Sequence, residues 1–137
     1  EAAAAFDELT RTNKDDKMVR QVQNAWPNVF REARFIPAVE YINANRARTL
    51  LNQKMAILME TIDVYLIPSF YGDNLLRTNL TGHPCVVVPN GFNNKGRPTS
   101  ISFIGDLYED GNVLAMAKAY QETTDWHKQY PPKFKIE

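Results

Sequence analysis

Only one cysteine, Cys85, occurs in the 137 residues. That excludes a disulfide within the chain and any multi-cysteine metal cluster, and its place in the run Cys85-Val86-Val87-Val88 predicts a small buried hydrophobe. Histidine is almost as scarce. His83 and His127 do not form a His-Glu-x-x-His pair or any spacing that sets two ligands on one helical face, so neither a metal nor another cofactor is expected. Three serines occur, Ser69, Ser100 and Ser102, none of them in a Gly-x-Ser-x-Gly elbow or a Gly/Ser-rich loop, so no catalytic serine is expected here. Net charge is absent too: sixteen basic residues balance sixteen acidic ones, leaving no positive field to hold a nucleic-acid backbone or an anionic membrane. No stretch approaches the roughly 20 apolar residues of a membrane-spanning helix. The start, Glu1-Ala2-Ala3-Ala4-Ala5-Phe6, has no basic region or cleavage pattern, so the chain carries no address of its own. The cytoplasm is the expected location, with export of a parent protein left open. The missing initiator methionine points to the middle of a longer protein.

What is present suits a soluble globular domain: 44% hydrophobic and 23% charged residues. Residues 1–60 read as a mainly helical arm. A short helix is expected over 2–9 and a second over 15–26; after Trp26-Pro27-Asn28 the chain restarts, and Pro37 suits the first turn of a long helix. Val39, Ile42, Leu50, Ile57 and Leu58 recur at helical spacing to about residue 60, predicting one buried face.

Over residues 61–130 the period changes from 3.6 to 2. Val64-Tyr65-Leu66-Ile67, Cys85 to Val88 and residues 99–104 read as strands, and the turn formers of Asn90-Gly91-Phe92-Asn93-Asn94-Lys95-Gly96 join the last two as a hairpin. The run at Cys85 is expected to be central, with neighbours on both edges. A closing helix follows to about Trp126, capped by Asp110 or Asn112, with Val113, Leu114, Met116, Ala117 and Tyr120 as its apolar stripe. Pro131-Pro132 ends regular structure, and the tail 131–137 is expected to be mobile. The fold class is α/β, a helical N-terminal half followed by a few strands of a mixed sheet and a packed C-terminal helix, and a three-strand sheet with one packed helix reads as part of a larger architecture.

Candidate chemistry is sparse. Arg46 and Arg48 stand about 200° apart around their helix, so at most one faces a given pocket, where a guanidinium can grip a carboxylate; the plain alternative is that both face solvent. His83, in Thr81-Gly82-His83-Pro84, can face a pocket at the strand start. His127 follows a helix C-terminus, where an imidazolium suits the dipole. Asp15-Asp16 and Glu109-Asp110 read as solvated helix-start residues.

The segment from Asn79-Leu80-Thr81-Gly82-His83-Pro84 through Val88-Pro89-Asn90-Gly91-Phe92, then Gly96-Arg97-Pro98 and Phe103-Ile104-Gly105, resembles the region near the C-terminus of amidase-signature enzymes. The last helix to His127 and Asn45-Arg46-Ala47-Arg48-Thr49-Leu50 are similar to the family as well. The resemblance implies amide hydrolysis or transfer by a Ser-cisSer-Lys triad, with a serine acyl-enzyme and backbone N–H groups as oxyanion hole. That triad has no counterpart here, with neither a Gly-Gly nor a Ser-Ser dipeptide present, so it is expected upstream, in a missing N-terminal catalytic region. The chain is then expected to be inactive alone and to contribute scaffold and pocket for a small amide substrate. In the A subunits of tRNA-dependent amidotransferases a long-helix arginine is associated with the substrate's α-carboxylate, and the match places Arg48 there. Their acidic partner falls on Glu109 where an aspartate is usual, and His83 replaces a more usual aliphatic residue. Arg48, Glu109 and His83 are thus the candidate substrate-binding residues. The alternatives are a non-catalytic interaction module and the A-type glutaminase chain of a tRNA-dependent amidotransferase. Further expectations are no membrane and no direct nucleic-acid partner, with a homodimer left open.

Overall fold

The computed structural model describes residues 1–130 and Phe134; the remainder of the tail predicted to be mobile lies outside the described residues. The chain forms two compact units, residues 1–47 and 48–137.

In the first unit, helices α1 (Ala2–Ala5) and α2 (Asp7–Arg11) precede a 3₁₀ turn at Lys14–Lys17 and helix α3 (Trp26–Ala33). Phe30 is buried, with Phe6 stacked on it at 5.4 Å and Trp26 beside it at 5.6 Å. The helix expected over 15–26 does not form. Gln21 Nε2 donates to the Asp15 and Met18 carbonyls at 2.8 and 2.9 Å, taking acceptors that a helical ladder would use. The chain turns instead, and α3 starts at Trp26 with Pro27 in its first turn, where no N–H is missed. That turn carries Asp15 inward: it is 1% exposed, and Arg31 Nη2 lies 2.6 Å from its Oδ2, close enough for an ion pair although not aligned as a hydrogen bond.

Arg11 and Arg34 both pair with the carboxylate of Asp7. The Arg11 hydrogen bond leads in holding Asp7 below its ordinary 3.8, and the charges of Arg11 and Arg34 add to it against some desolvation. A lowered folded value means this stabilisation is present above the unfolded carboxylate range and lost as pH falls through the folded one. Asp7→Asn is therefore expected to lower stability near neutrality, flatten the acid limb of the profile and converge with the wild type in acid, with high salt mimicking the effect. Urea melts across pH read this directly.

Helix α4 (Ala38–Met59) follows Pro37, whose carbonyl accepts from the Glu40 and Tyr41 amides at 3.0 and 3.2 Å. Its buried side is not the one expected. Met55 and Met59 are buried, whereas Val39, Ile42, Leu50, Ile57 and Leu58 are all exposed. Val39, Leu50 and Ile57 lie about half a turn from the two methionines around the axis, so the apolar stripe exists but nothing among the described residues covers it.

The second unit holds an antiparallel sheet of β1 (Val64–Pro68), β2 (Cys85–Phe92) and β3 (Pro98–Gly105) in the order β1-β3-β2. The predicted hairpin is present, with a bulge between Pro89 and Gly91. The central strand is β3 and not the Cys85 run. Register aligns Tyr65, Ile104 and Cys85 across the strands on one face, and Leu66, Phe103 and Val86 on the other. Helix α6 (Asp110–Thr123) packs on the latter, where Val88, Phe103, Val113 and Ala117 form the core. Cys85 is exposed, contrary to expectation, because it starts an edge strand and faces away from α6. Ser102 is buried, and its hydroxyl pairs with that of Ser69 at 2.9 Å.

Neither Asp110 nor Asn112 caps α6, which begins at Asp110 with Glu109 as N-cap and no side-chain cap bond. The helix ends at Thr123, and Leu114 and Met116 are exposed while Val113 and Ala117 are buried. A 3₁₀ turn, Trp126–Lys128, brings the Trp126 ring under Gly91, whose φ of +130° suits glycine alone. Gly91→Ala is expected to cost about 2 kcal/mol, as a non-glycine residue in such a region does, read as a lower urea midpoint at unchanged slope.

Candidate functional site

Helix α5 (Asn74–Thr81), which the sequence pattern did not reveal, explains the Thr-Gly-His-Pro loop. Thr81 Oγ1 donates to the Arg77 carbonyl at 2.9 Å, and Gly82 adopts φ +82° while its N–H donates to the Thr78 carbonyl at 2.8 Å. A left-handed glycine is the usual helix stop. Pro84 then leads into β2, its carbonyl accepting from the Gly105 amide at 3.2 Å, which ties the start of β2 to the end of β3.

Arg48, on α4, donates through Nε to the Leu80 carbonyl at 2.5 Å. His83 is buried at the strand start, with Nδ1 2.8 Å from Thr81 Oγ1 and Nε2 3.8 Å from Asp106 Oδ1. Glu109 is exposed; its amide donates to the Asp106 carbonyl at 3.1 Å, and its carboxylate accepts from Asn112 Nδ2 at 3.0 Å. The three candidates therefore lie toward one end of the sheet: Arg48 is bonded to Leu80 ahead of the His83 loop, and His83 Nε2 faces, without a hydrogen bond, the Asp106 that opens the turn to Glu109. Arg46 and His127 are exposed, and neither is part of this group.

The shaped hollow nearby does not unite them. It has a volume of about 470 Å³ and is lined by Asp63, Val64, Asn112, Ala115, Met116 and Ala119, so it takes in neither Arg48 nor Glu109. Three residues of this region escaped sequence reading. Asp106 directly follows the Ile104-Gly105 strand end, where a side chain can bond its own turn, and its Oδ1 accepts from the Leu107 amide at 2.7 Å. Tyr108 holds φ +67° and is 93% exposed, an unusual conformation for an aromatic residue. Tyr65, across the sheet from Cys85, donates to Asn74 Oδ1 at 2.9 Å, and burial leads in raising its phenol above 10.0, with Cys85 adding to the rise.

Among the described residues no three His, Cys, Asp or Glu side chains are grouped to hold a metal ion, and no helix is long and apolar enough to cross a membrane.

The chain is 30% identical over 111 residues to the glutamyl-tRNA(Gln) amidotransferase A subunit of Rippkaea orientalis, a match covering 67% of this chain and 23% of that protein. The corresponding A subunits of Thermosynechococcus vestitus and Synechococcus sp. (strain JA-3-3Ab) are 31% and 34% identical over 110 residues, covering 66% and 67% of this chain and 23% and 21% of theirs. This chain belongs to the amidase-signature family. It spans under a quarter of the length of these relatives. No family model matches it. The crystal structure of PAM12A shares its fold, with a TM-score of 0.68 at 19% identity over 96% of this chain and 30% of that one.

Proposed function

We propose that this member of the amidase-signature family supplies scaffold and one wall of the substrate pocket to an amide-hydrolysing enzyme, and that the nucleophile, its bridging serine and its lysine lie in a part of the parent protein outside these residues. The observation that carries this is the placement of Arg48, His83 and Glu109 around the end of the sheet where β2 starts, β3 ends and α6 starts. The serines support it from the other side. Among the described residues Ser69 and Ser102 hydrogen-bond each other and have no lysine or histidine partner to activate them. Arg48 is the carboxylate-recognising residue in this reading, with Nε committed to Leu80 so that the guanidinium has a fixed orientation, and Glu109 is an exposed acceptor across the site.

The purified 137-residue chain is expected to hydrolyse no reporter amide above the uncatalysed rate; turnover free of contaminant sinks the proposal. In the parent enzyme, Arg48→Lys is expected to raise KM about tenfold for an amide bearing an α-carboxylate, the worth of one charge-assisted hydrogen bond, and to leave an uncharged amide unaffected. Equal effects on both substrates would remove Arg48 from the role.

A second reading is favoured by the names of the relatives: the parent is the A subunit of an amidotransferase, working with partner chains on an aminoacyl-tRNA. It requires Arg48 and Glu109 to share one substrate. Glutamine-dependent activity of the parent lost in Glu109→Ala, and kept with simple amides that lack the α-amino-acid group, would select it.

A further inference from the structure

We infer that His83 is a proton-operated tie between the loop that follows α5 and the turn that precedes α6. The hydroxyl of Thr81 has one proton, and the Arg77 carbonyl 2.9 Å away can only accept it. His83 Nδ1, 2.8 Å from the same hydroxyl oxygen, must therefore be a donor. The neutral ring is thus the Nδ1–H tautomer, and Nε2 is left as a bare acceptor.

That bare nitrogen is buried and has no hydrogen-bond partner among the described residues. It faces Asp106 Oδ1 at 3.8 Å, so two acceptors look at each other beyond direct hydrogen-bond distance. Asp106 cannot easily turn away, because Oδ1 is held by the Leu107 amide at 2.7 Å. Its side chain is 47% exposed, so it stands at the edge of the buried ring. A proton on Nε2 turns this facing pair into a charge-assisted hydrogen bond, a change imidazole makes more readily than any other side chain near neutral pH. The elements around this loop also carry, among others, Arg48 on α4, Arg77 on α5, Tyr65 on β1, Cys85 on β2 and Asp110 at the start of α6, with Glu109 just before it. Arg48 is bonded to the Leu80 carbonyl, and Asp106, with an oxygen 3.8 Å from Nε2, is the group placed to receive a hydrogen bond from it.

Closure draws residues 106–109 toward residues 81–84. The Leu107 amide donates to the Asp106 carboxylate and the Glu109 amide to the Asp106 backbone carbonyl, so the side chain and the main chain of Asp106 both belong to the turn that carries Glu109. If the site proposed above is correct, the distance between its Arg48 and Glu109 sides is then set by pH; that consequence rests on the earlier reading, and the tie itself does not.

The test uses nitrogen NMR of the 137-residue chain without substrate, with exposed His127 as internal comparison. Neutral His83 is expected to be the Nδ1–H tautomer, and the amide resonances of Leu107 and Glu109 are expected to move together with its titration. In Asp106→Asn both amide responses are lost. An Nε2–H tautomer for neutral His83 overturns the inference, and so do amide responses that persist in Asp106→Asn. Because no activity is read, failure here leaves the Arg48→Lys result standing, and failure of that result leaves the tie intact.

Discussion

Arg31→Met is expected to cost the first unit about 3 kcal/mol, the lower end of what breaking a buried ion pair does, because Arg31 itself is partly exposed. The loss arises from the partner left behind. Asp15 is 1% exposed, and without Arg31 its carboxylate stays in a place that water does not reach. The same arginine reaches Asp16 at 2.7 Å, but that carboxylate is 67% exposed and contributes little. Hydrogen exchange reads the effect locally, as about a hundredfold loss of protection in the amides of α3. The double variant Asp15→Asn/Arg31→Met should recover part of it, since an amide is far less costly to bury than a charge. Unchanged protection in Arg31→Met would mean that Asp15 does not depend on this pair.

Gly105→Ala is expected to cost the second unit about 3 kcal/mol, at the upper end of ordinary overpacking. A Cβ at this position would lie 2.3 Å from Val113 Cγ2, and the Asp63 and Glu109 carbonyls stand at 3.6 Å. Val113 has no room to give way: it is fully buried, and a β-branched side chain in a helix keeps one preferred rotamer. Relief therefore requires α6 to move off the sheet, which loosens the packing of Val113 and Ala117 on Val88 and Phe103. A urea melt should show a lower midpoint. Adding Val113→Ala removes the clash, so the double variant should be less destabilised than the sum of the singles; simple additivity would show that Gly105 is not packed against Val113.

Local patterns were legible where one short-range rule governs. The hairpin between β2 and β3 follows from turn formers between two β-branched runs, and the long helix after Pro37 follows from a ring that suits a helix start. The candidate residues of the site were named because Arg48, His83 and Glu109 fall on positions similar to those of a known family. Their placement around one end of the sheet was not legible. It depends on α5, whose eight residues Asn-Leu-Leu-Arg-Thr-Asn-Leu-Thr carry too little periodicity to stand out, and on Asp106, a single acidic residue after a strand.

The sequence by itself determined the α/β class, the hairpin and the likeness to amidase-signature enzymes, because each depends on residue order or residue type over a short span. The tertiary structure decided which faces are covered. Cys85 and the Val39, Leu50 and Ile57 stripe are as apolar as the buried Val88, Met55 and Met59, yet exposed. Hydrophobic burial has no direction of its own, so a pattern can mark a face as apolar while only the arrangement of neighbouring elements determines whether anything lies against it. Polar groups obey the same logic in reverse: Asp15 was read as a solvated helix-start residue and is buried because Arg31, distant in sequence, reaches it.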